Sequence, residues 1–126
     1  MIQDWIETHA RLQEAFHPAS ERVPGTEGWR RYVEYNFTAA VLELAEVAGE
    51  LEIRPWKVPT GVVKHKMALA TEVVDVMHFL ANILNAAGVT DAEFEMLYRF
   101  KVQENERRLA SGRSVPTTVR SHDDDV

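Results

Sequence analysis

Two short acidic pairs, Glu43-Leu44-Ala45-Glu46 and Glu72-Val73-Val74-Asp75, are the residues of this sequence best placed to do chemistry. Side chains three apart on a helix lie on one face, so each pair forms a two-carboxylate clamp wherever its segment is helical. Glu50 continues the first pair by one further turn. Carboxylates gathered at one point repel, and protonation, ion pairing or a divalent cation must relieve them. The second pair sits among Met67, Leu69, Val73, Val74, Val76, Met77, Phe79, Leu80, Ile83 and Leu84. Bare charge is expensive to bury in such surroundings, which favours metal or active-site use over a solvated face. The chain has no cysteine, so only oxygen and imidazole donors remain. That donor set suits a hard cation such as Mg²⁺ or Mn²⁺.

The elements that must carry these pairs follow from apolar periodicity. Ile2, Trp5, Ile6, His9, Leu12 and Phe16 predict a first helix over 2–16, ended by His17-Pro18. A second helix is expected from Trp29 to about Glu52, with Val33, Phe37, Ala40, Val41, Leu44, Ala48 and Leu51 as its apolar stripe. Pro55-Trp56-Lys57-Val58-Pro59-Thr60-Gly61 then forms a stiff loop. A third helix is expected over Val62–Ala87, ended by Gly88. On it Glu72, Asp75, Phe79 and Asn82 share one side, with His78 and Asn85 flanking. Thr90-Asp91-Ala92-Glu93 fits a capping box opening a fourth helix that reaches about Ala110. On that helix Tyr98, Lys101, Asn105 and Arg108 form one polar stripe able to hold phosphate oxygens. The fold class is therefore all-α, a four-to-five-helix bundle over 1–112, with a disordered tail over 113–126.

Length and charge narrow the function. A chain of 126 residues suits one domain, and 45% hydrophobic content gives it an ordinary core. A formal net charge of −6 lacks the footprint of a duplex-DNA binder, so no nucleic-acid partner is expected. The N-terminus carries no basic region followed by an apolar run, and the apolar stretch Val73–Ala87 is broken by Asp75, His78, Asn82 and Asn85. No membrane partner and a cytoplasmic location are the expectation. Aromatic residues at 5, 16, 29, 32 and 37 exceed what one thin bundle can cover, which predicts a homodimer or a dimer of dimers.

The combination of motifs resembles the all-α nucleoside triphosphate pyrophosphohydrolases, the superfamily of the MazG proteins and the dimeric dUTPases. Glu-x-x-Glu followed after 25 residues by Glu-x-x-Asp is similar to their acidic signature. Asp75-Val76-Met77-His78-Phe79, Pro55-Trp56-Lys57 and Tyr98-x-x-Lys101-x-x-x-Asn105 resemble runs of the dUTPase side. The resemblance implies that Glu43, Glu46, Glu72 and Asp75 bind Mg²⁺ beside the triphosphate. It implies that Lys57, Tyr98, Lys101 and Asn105 contact phosphates or close the site, and that Asn82 and Trp56 lie near the nucleoside. Glu46 is the candidate base, with Glu43 and Glu50 as alternatives. The family's uracil-reading Gln has its nearest equivalent in Gln13, but the Asn that accompanies it is missing. The chain is also shorter than most dimeric dUTPases. The implied reaction is dUTP to dUMP and pyrophosphate, or MazG-like hydrolysis of other nucleotides such as dCTP.

Two further readings fit parts of the pattern. Asp75 and His78 at i, i+3 resemble half of a ferritin-like di-iron or di-manganese site, which needs that pair twice. A non-enzymatic helical interaction module would leave both acidic pairs solvated or salt-bridged.

Overall fold

The computed structural model describes residues 2–58 and 61–112, and the expected disordered tail over 113–126 lies outside them. Four α-helices account for most of these residues: α1 (Trp5–Glu14), α2 (Glu27–Glu50), α3 (Lys66–Ala86) and α4 (Asp91–Ala110), with a 3₁₀ turn at Ala19–Glu21. No strand occurs among the described residues, so the fold is all-α as expected. Two compact units are present, one over Ile2–Asp91 and one from Ala92 onward. The first contains α1, α2 and α3; the second consists of α4 after its opening residue.

Each helix end in the first unit has a local cause. α2 starts at Glu27, two residues before the expected Trp29, because the Thr26 hydroxyl caps it, accepting from the Trp29 amide at 3.3 Å. Gly28 is needed in that first turn, since a Cβ there would stand 2.1 Å from the Glu21 carbonyl oxygen. α2 ends through a Schellman closure in which Ile53 donates to the Ala48 carbonyl and Glu52 to the Gly49 carbonyl, each at 3.0 Å. Glu52 takes the left-handed position at φ 55°, a place normally given to glycine. α3 closes in the same way on Gly88, at φ 81°. It begins at Lys66, four residues later than expected. Gly61 and the β-branched pair Val62-Val63 lower the helix propensity of the segment before it.

α1 is held by a cap from far along the chain. The Asp91 carboxylate accepts from the backbone amides of Ile6 at 2.8 Å and Glu7 at 3.0 Å. Asp4, the residue before the helix, sits at φ 52° and provides no side-chain cap of its own. A carboxylate on two orphan amides at the positive end of a helix is a favourable arrangement. Asp91→Ala is expected to destabilise the protein by about 1 kcal/mol. Urea unfolding would register this as a lower midpoint at unchanged slope, and an unmoved midpoint would show that the cap is idle.

α2 and α3 run antiparallel. Trp29 Nε1 donates to the Ala86 carbonyl at 2.8 Å, and Asn82 Nδ2 donates to Asn36 Oδ1 at 2.9 Å, so residue numbers fall on one helix as they rise on the other. α1 packs against α3, with the His9 and His78 rings 4.2 Å apart. The buried side chains are Trp5, Ile6, Tyr32, Ala40 and Ala81, together with the polar Asn36 and Asn82.

The packing face of α2 is rotated from the expected apolar stripe. Tyr32, Asn36 and Ala40 are buried, whereas Phe37, Val41 and Leu44 are 63%, 52% and 56% exposed. Ala40 is common to both faces, and the contact with α3 is made in part by the Trp29 indole and the Asn36 side chain, which the apolar periodicity did not place there. α3 itself keeps Val73, Val74 and Leu80 partly open. It is also long and apolar enough to cross a membrane by length and composition. Glu72 and Asp75 stand within it, both half-buried.

Candidate active site

α2 and α3 bring the two acidic pairs together. Carboxylate oxygens of Glu43, Glu72 and Asp75 all lie within 4.8 Å of one another, and all three residues are half-buried. Helical spacing sets Glu72 and Asp75 on one face of α3, and the antiparallel register carries Glu43 opposite them. Within the unit Ile2–Asp91, no described lysine or arginine forms an ion pair with Glu43, Glu46, Glu72 or Asp75. Burial, then a hydrogen bond and charge repulsion from Glu43, push the Glu72 carboxyl above its ordinary value, with Asp75 and Glu46 adding to the effect. Three mutually repelling carboxylates without a lysine or arginine partner among the described residues of their own unit form a donor set that fits a divalent cation. Glu46 is exposed and stands outside the close cluster, although its charge reaches Glu72. Glu50, one turn beyond, is half-buried.

The remaining candidates divide by element. Asn82 is buried in the α2–α3 contact, bonded to Asn36. Gln13 on α1 is half-buried, and its Oε1 accepts from the Tyr32 hydroxyl at 3.1 Å. Trp56 and Lys57 are both exposed on the loop after α2, Trp56 at 77%. Tyr98, Lys101 and Asn105 lie on α4 at i, i+3 and i+7, and therefore on one face of that helix. Arg108, the last residue of that stripe, pairs with Glu104 on α4 at 3.0 Å.

Three residues gain weight that the sequence did not give them. Asn36 is buried in the α2–α3 contact, and nothing in the sequence marks it until Asn82 is seen opposite it. Tyr32 is buried, with its hydroxyl on Gln13 and the Arg22 guanidinium 5.3 Å over its ring. His9 has its Nδ1 on the Trp5 carbonyl at 2.8 Å and its ring against His78. Burial and the His9 ring push His78 below the usual imidazole range, while Asp75 pulls it upward. His78 is therefore mostly neutral at pH 7.

Beyond these are a second acidic group and a cleft. Asp4, Glu7 and Asp91 bring carboxylate oxygens within 4.8 Å of one another, at the amino end of α1 that Asp91 caps. A cleft of about 460 Å³ is lined by His17, Glu21, Arg22, Arg31, Tyr32 and Tyr35.

The arrangement of Glu43, Glu72 and Asp75 can grip a polyphosphate through a shared cation and set a carboxylate beside an attacking water. Comparisons with curated proteins and with solved structures each returned no match. The family model described as dUTPase matches residues 4–119, a span that takes in both acidic pairs, the Trp56-Lys57 loop and the α4 stripe. With that match over nearly its whole length, the chain belongs to the dUTPase family and is a nucleotide pyrophosphohydrolase.

Proposed function

We propose that this protein hydrolyses dUTP to dUMP and pyrophosphate with Mg²⁺ held by Glu43, Glu72 and Asp75, and with Glu46 completing the set or serving as base. The observation that carries the proposal is the convergence of three carboxylates from two helices with no lysine or arginine of their own unit to neutralise them. In the reaction a water oxygen bonds to phosphorus, the anhydride bond between the α- and β-phosphates breaks, and pyrophosphate departs. A bound divalent cation supplies charge cancellation on the phosphate oxygens and lowers the pKa of the attacking water. The chain's own part is to orient and to move a proton. Glu46, exposed beside the cluster, takes the water's proton, a role for which Glu50 and Glu43 are the alternatives. Within the first unit Lys57 contributes a donor for the phosphates, and Trp56, Asn82 and Gln13 meet the nucleoside; the α4 stripe of Tyr98, Lys101 and Asn105 is a donor set suited to phosphate oxygens.

The exposed stripe of Phe37, Val41 and Leu44 supports a homo-oligomer, because so much apolar surface is rarely left open on a monomer. The acidic balance supports an enzyme without a nucleic-acid partner, and a cytoplasmic location without a membrane partner belongs to the same proposal. A ferritin-like centre finds no support in the geometry, since His78 faces His9 and not a second carboxylate–histidine pair.

Incubation with a panel of deoxynucleoside and ribonucleoside triphosphates plus Mg²⁺ is the direct test. Release of dUMP and pyrophosphate, highest with dUTP and abolished by EDTA, is the expected result. A panel with no hydrolysed member would refute the assignment, and dCTP as the best substrate would move it to the MazG-like alternative.

A further inference from the structure

Asn36 and Asn82 are joined by one-way hydrogen bonds that decide which end of Asn82 is left over. The Tyr32 carbonyl can only accept, so the group that Asn36 turns toward it at 2.8 Å must be its amide NH₂. The Asn36 oxygen is thereby aimed at Asn82, which must answer with its own NH₂ at 2.9 Å. Asn82 Oδ1 remains, buried and without a partner among the described residues. Only 3% of Asn82 is exposed. An unsatisfied buried acceptor costs stability, and in native structures it commonly has a bound water or ligand as its partner.

Its position indicates the ligand. Asn82 lies seven residues beyond Asp75 on α3, about 10 Å along the helix axis. Phosphates placed at the carboxylates leave the sugar and base to extend along α3. Among its described residues, Asn82 Oδ1 is the one buried side-chain atom of α3 without a partner. Resting on the function proposed above, we infer that Asn82 is a base-reading residue whose Oδ1 accepts the N3–H of uracil. Asn36 is the positioning residue that locks this polarity. Cytosine carries a bare lone pair at N3 and meets the same oxygen with repulsion. Thymine shares the N3–H of uracil, so its methyl group is judged elsewhere. The preference between pyrimidines then comes from a hydrogen-bond relay anchored on a backbone carbonyl, inside the α2–α3 contact.

The test compares kcat/KM for dUTP, dCTP and N3-methyl-dUTP in the wild type, Asn36→Leu and Asn82→Leu, all with Mg²⁺. Leucine approximates the shape of asparagine, and circular dichroism checks the fold of each variant. The wild type should favour dUTP over both analogues by about ten-fold or more. Asn36→Leu frees the Asn82 amide to turn over, so the dUTP-to-dCTP ratio should fall toward one. A merely structural role would lower all rates together and leave that ratio in place. Equal ratios in the wild type and Asn36→Leu would overturn the inference. So would a wild type that hydrolyses N3-methyl-dUTP as fast as dUTP, or dCTP faster, and this arm holds even when the variants fail to fold. A wild type inert toward every nucleotide would instead strike the pyrophosphohydrolase reading itself.

Discussion

Asp75→Asn and Glu46→Gln are each expected to lower kcat for dUTP by about 10²–10⁴-fold, but with different signatures. Asp75 shares a point with Glu43 and Glu72, so its loss removes a cation ligand. The Mg²⁺ concentration for half-maximal activity should rise along with the drop in rate. Glu46 stands outside the close cluster, so its replacement should remove the proton acceptor and leave the Mg²⁺ midpoint nearly unchanged. Steady-state rates across a Mg²⁺ titration separate the two cases. A Glu46→Gln midpoint shifted as far as that of Asp75→Asn would make Glu46 a ligand, and the base would then be Glu50 or Glu43. Asp75→Asn with wild-type turnover would remove the cluster from the mechanism altogether.

Mg²⁺ or Mn²⁺ should also raise the thermal midpoint, and the gain should depend on pH in a defined sense. The folded state holds the Glu72 proton above the ordinary value of 4.5, chiefly through burial and Glu43. Stability from that proton is fully present below pH 4.5 and is lost as pH rises through the elevated folded value. The metal-free protein therefore loses stability across this interval, where Glu72 becomes charged. A cation binding only the folded, ionised cluster reverses the loss, and at one hundred times its dissociation constant contributes about 2.7 kcal/mol. For a domain of this size that is a rise in Tm of roughly 10 °C. Scanning calorimetry at neutral pH, with and without Mg²⁺, checks the magnitude, and the Glu72→Gln variant should show little of it. An equal rise in that variant would place the cation elsewhere, for instance at the exposed group of Asp4, Glu7 and Asp91.

The meeting of the carboxylates was easier to read from the sequence than the packing that creates it. Glu72 and Asp75 stood out because carboxylates in an apolar run need a partner, and the structure supplies Glu43 across the helix contact. Helix lengths were legible where a residue type carries the signal, as Gly88 does for the end of α3. They were illegible where geometry overrides type. Glu52 closes α2 in a glycine's conformation, and an ion pair with Lys64 at 3.4 Å joins it to the far side of the loop. The contact face of α2 was misread for a related reason. Periodicity finds the apolar stripe of Phe37, Val41 and Leu44, but it cannot say whether that stripe meets a helix of the same chain. Asn36 was invisible for the converse reason, since a lone polar residue between Tyr35 and Phe37 signals nothing until Asn82 is seen opposite it.

The Asp91 cap has a consequence for the order in which the molecule takes shape. The carboxylate that completes the amino end of α1 lies 85 residues downstream of the Ile6 amide it receives. A helix of ten residues is too short to persist alone in water, so α1 gains lasting order only when it docks. During synthesis α1, which leaves the ribosome before α2 and α3, would thus wait for α3 and for Asp91 behind it, while α2 and α3 can pair across the shorter loop between them. Closing so long a segment late is a slow step on entropic grounds. The amino-terminal helix is accordingly the part of the first unit expected to form last and to open first.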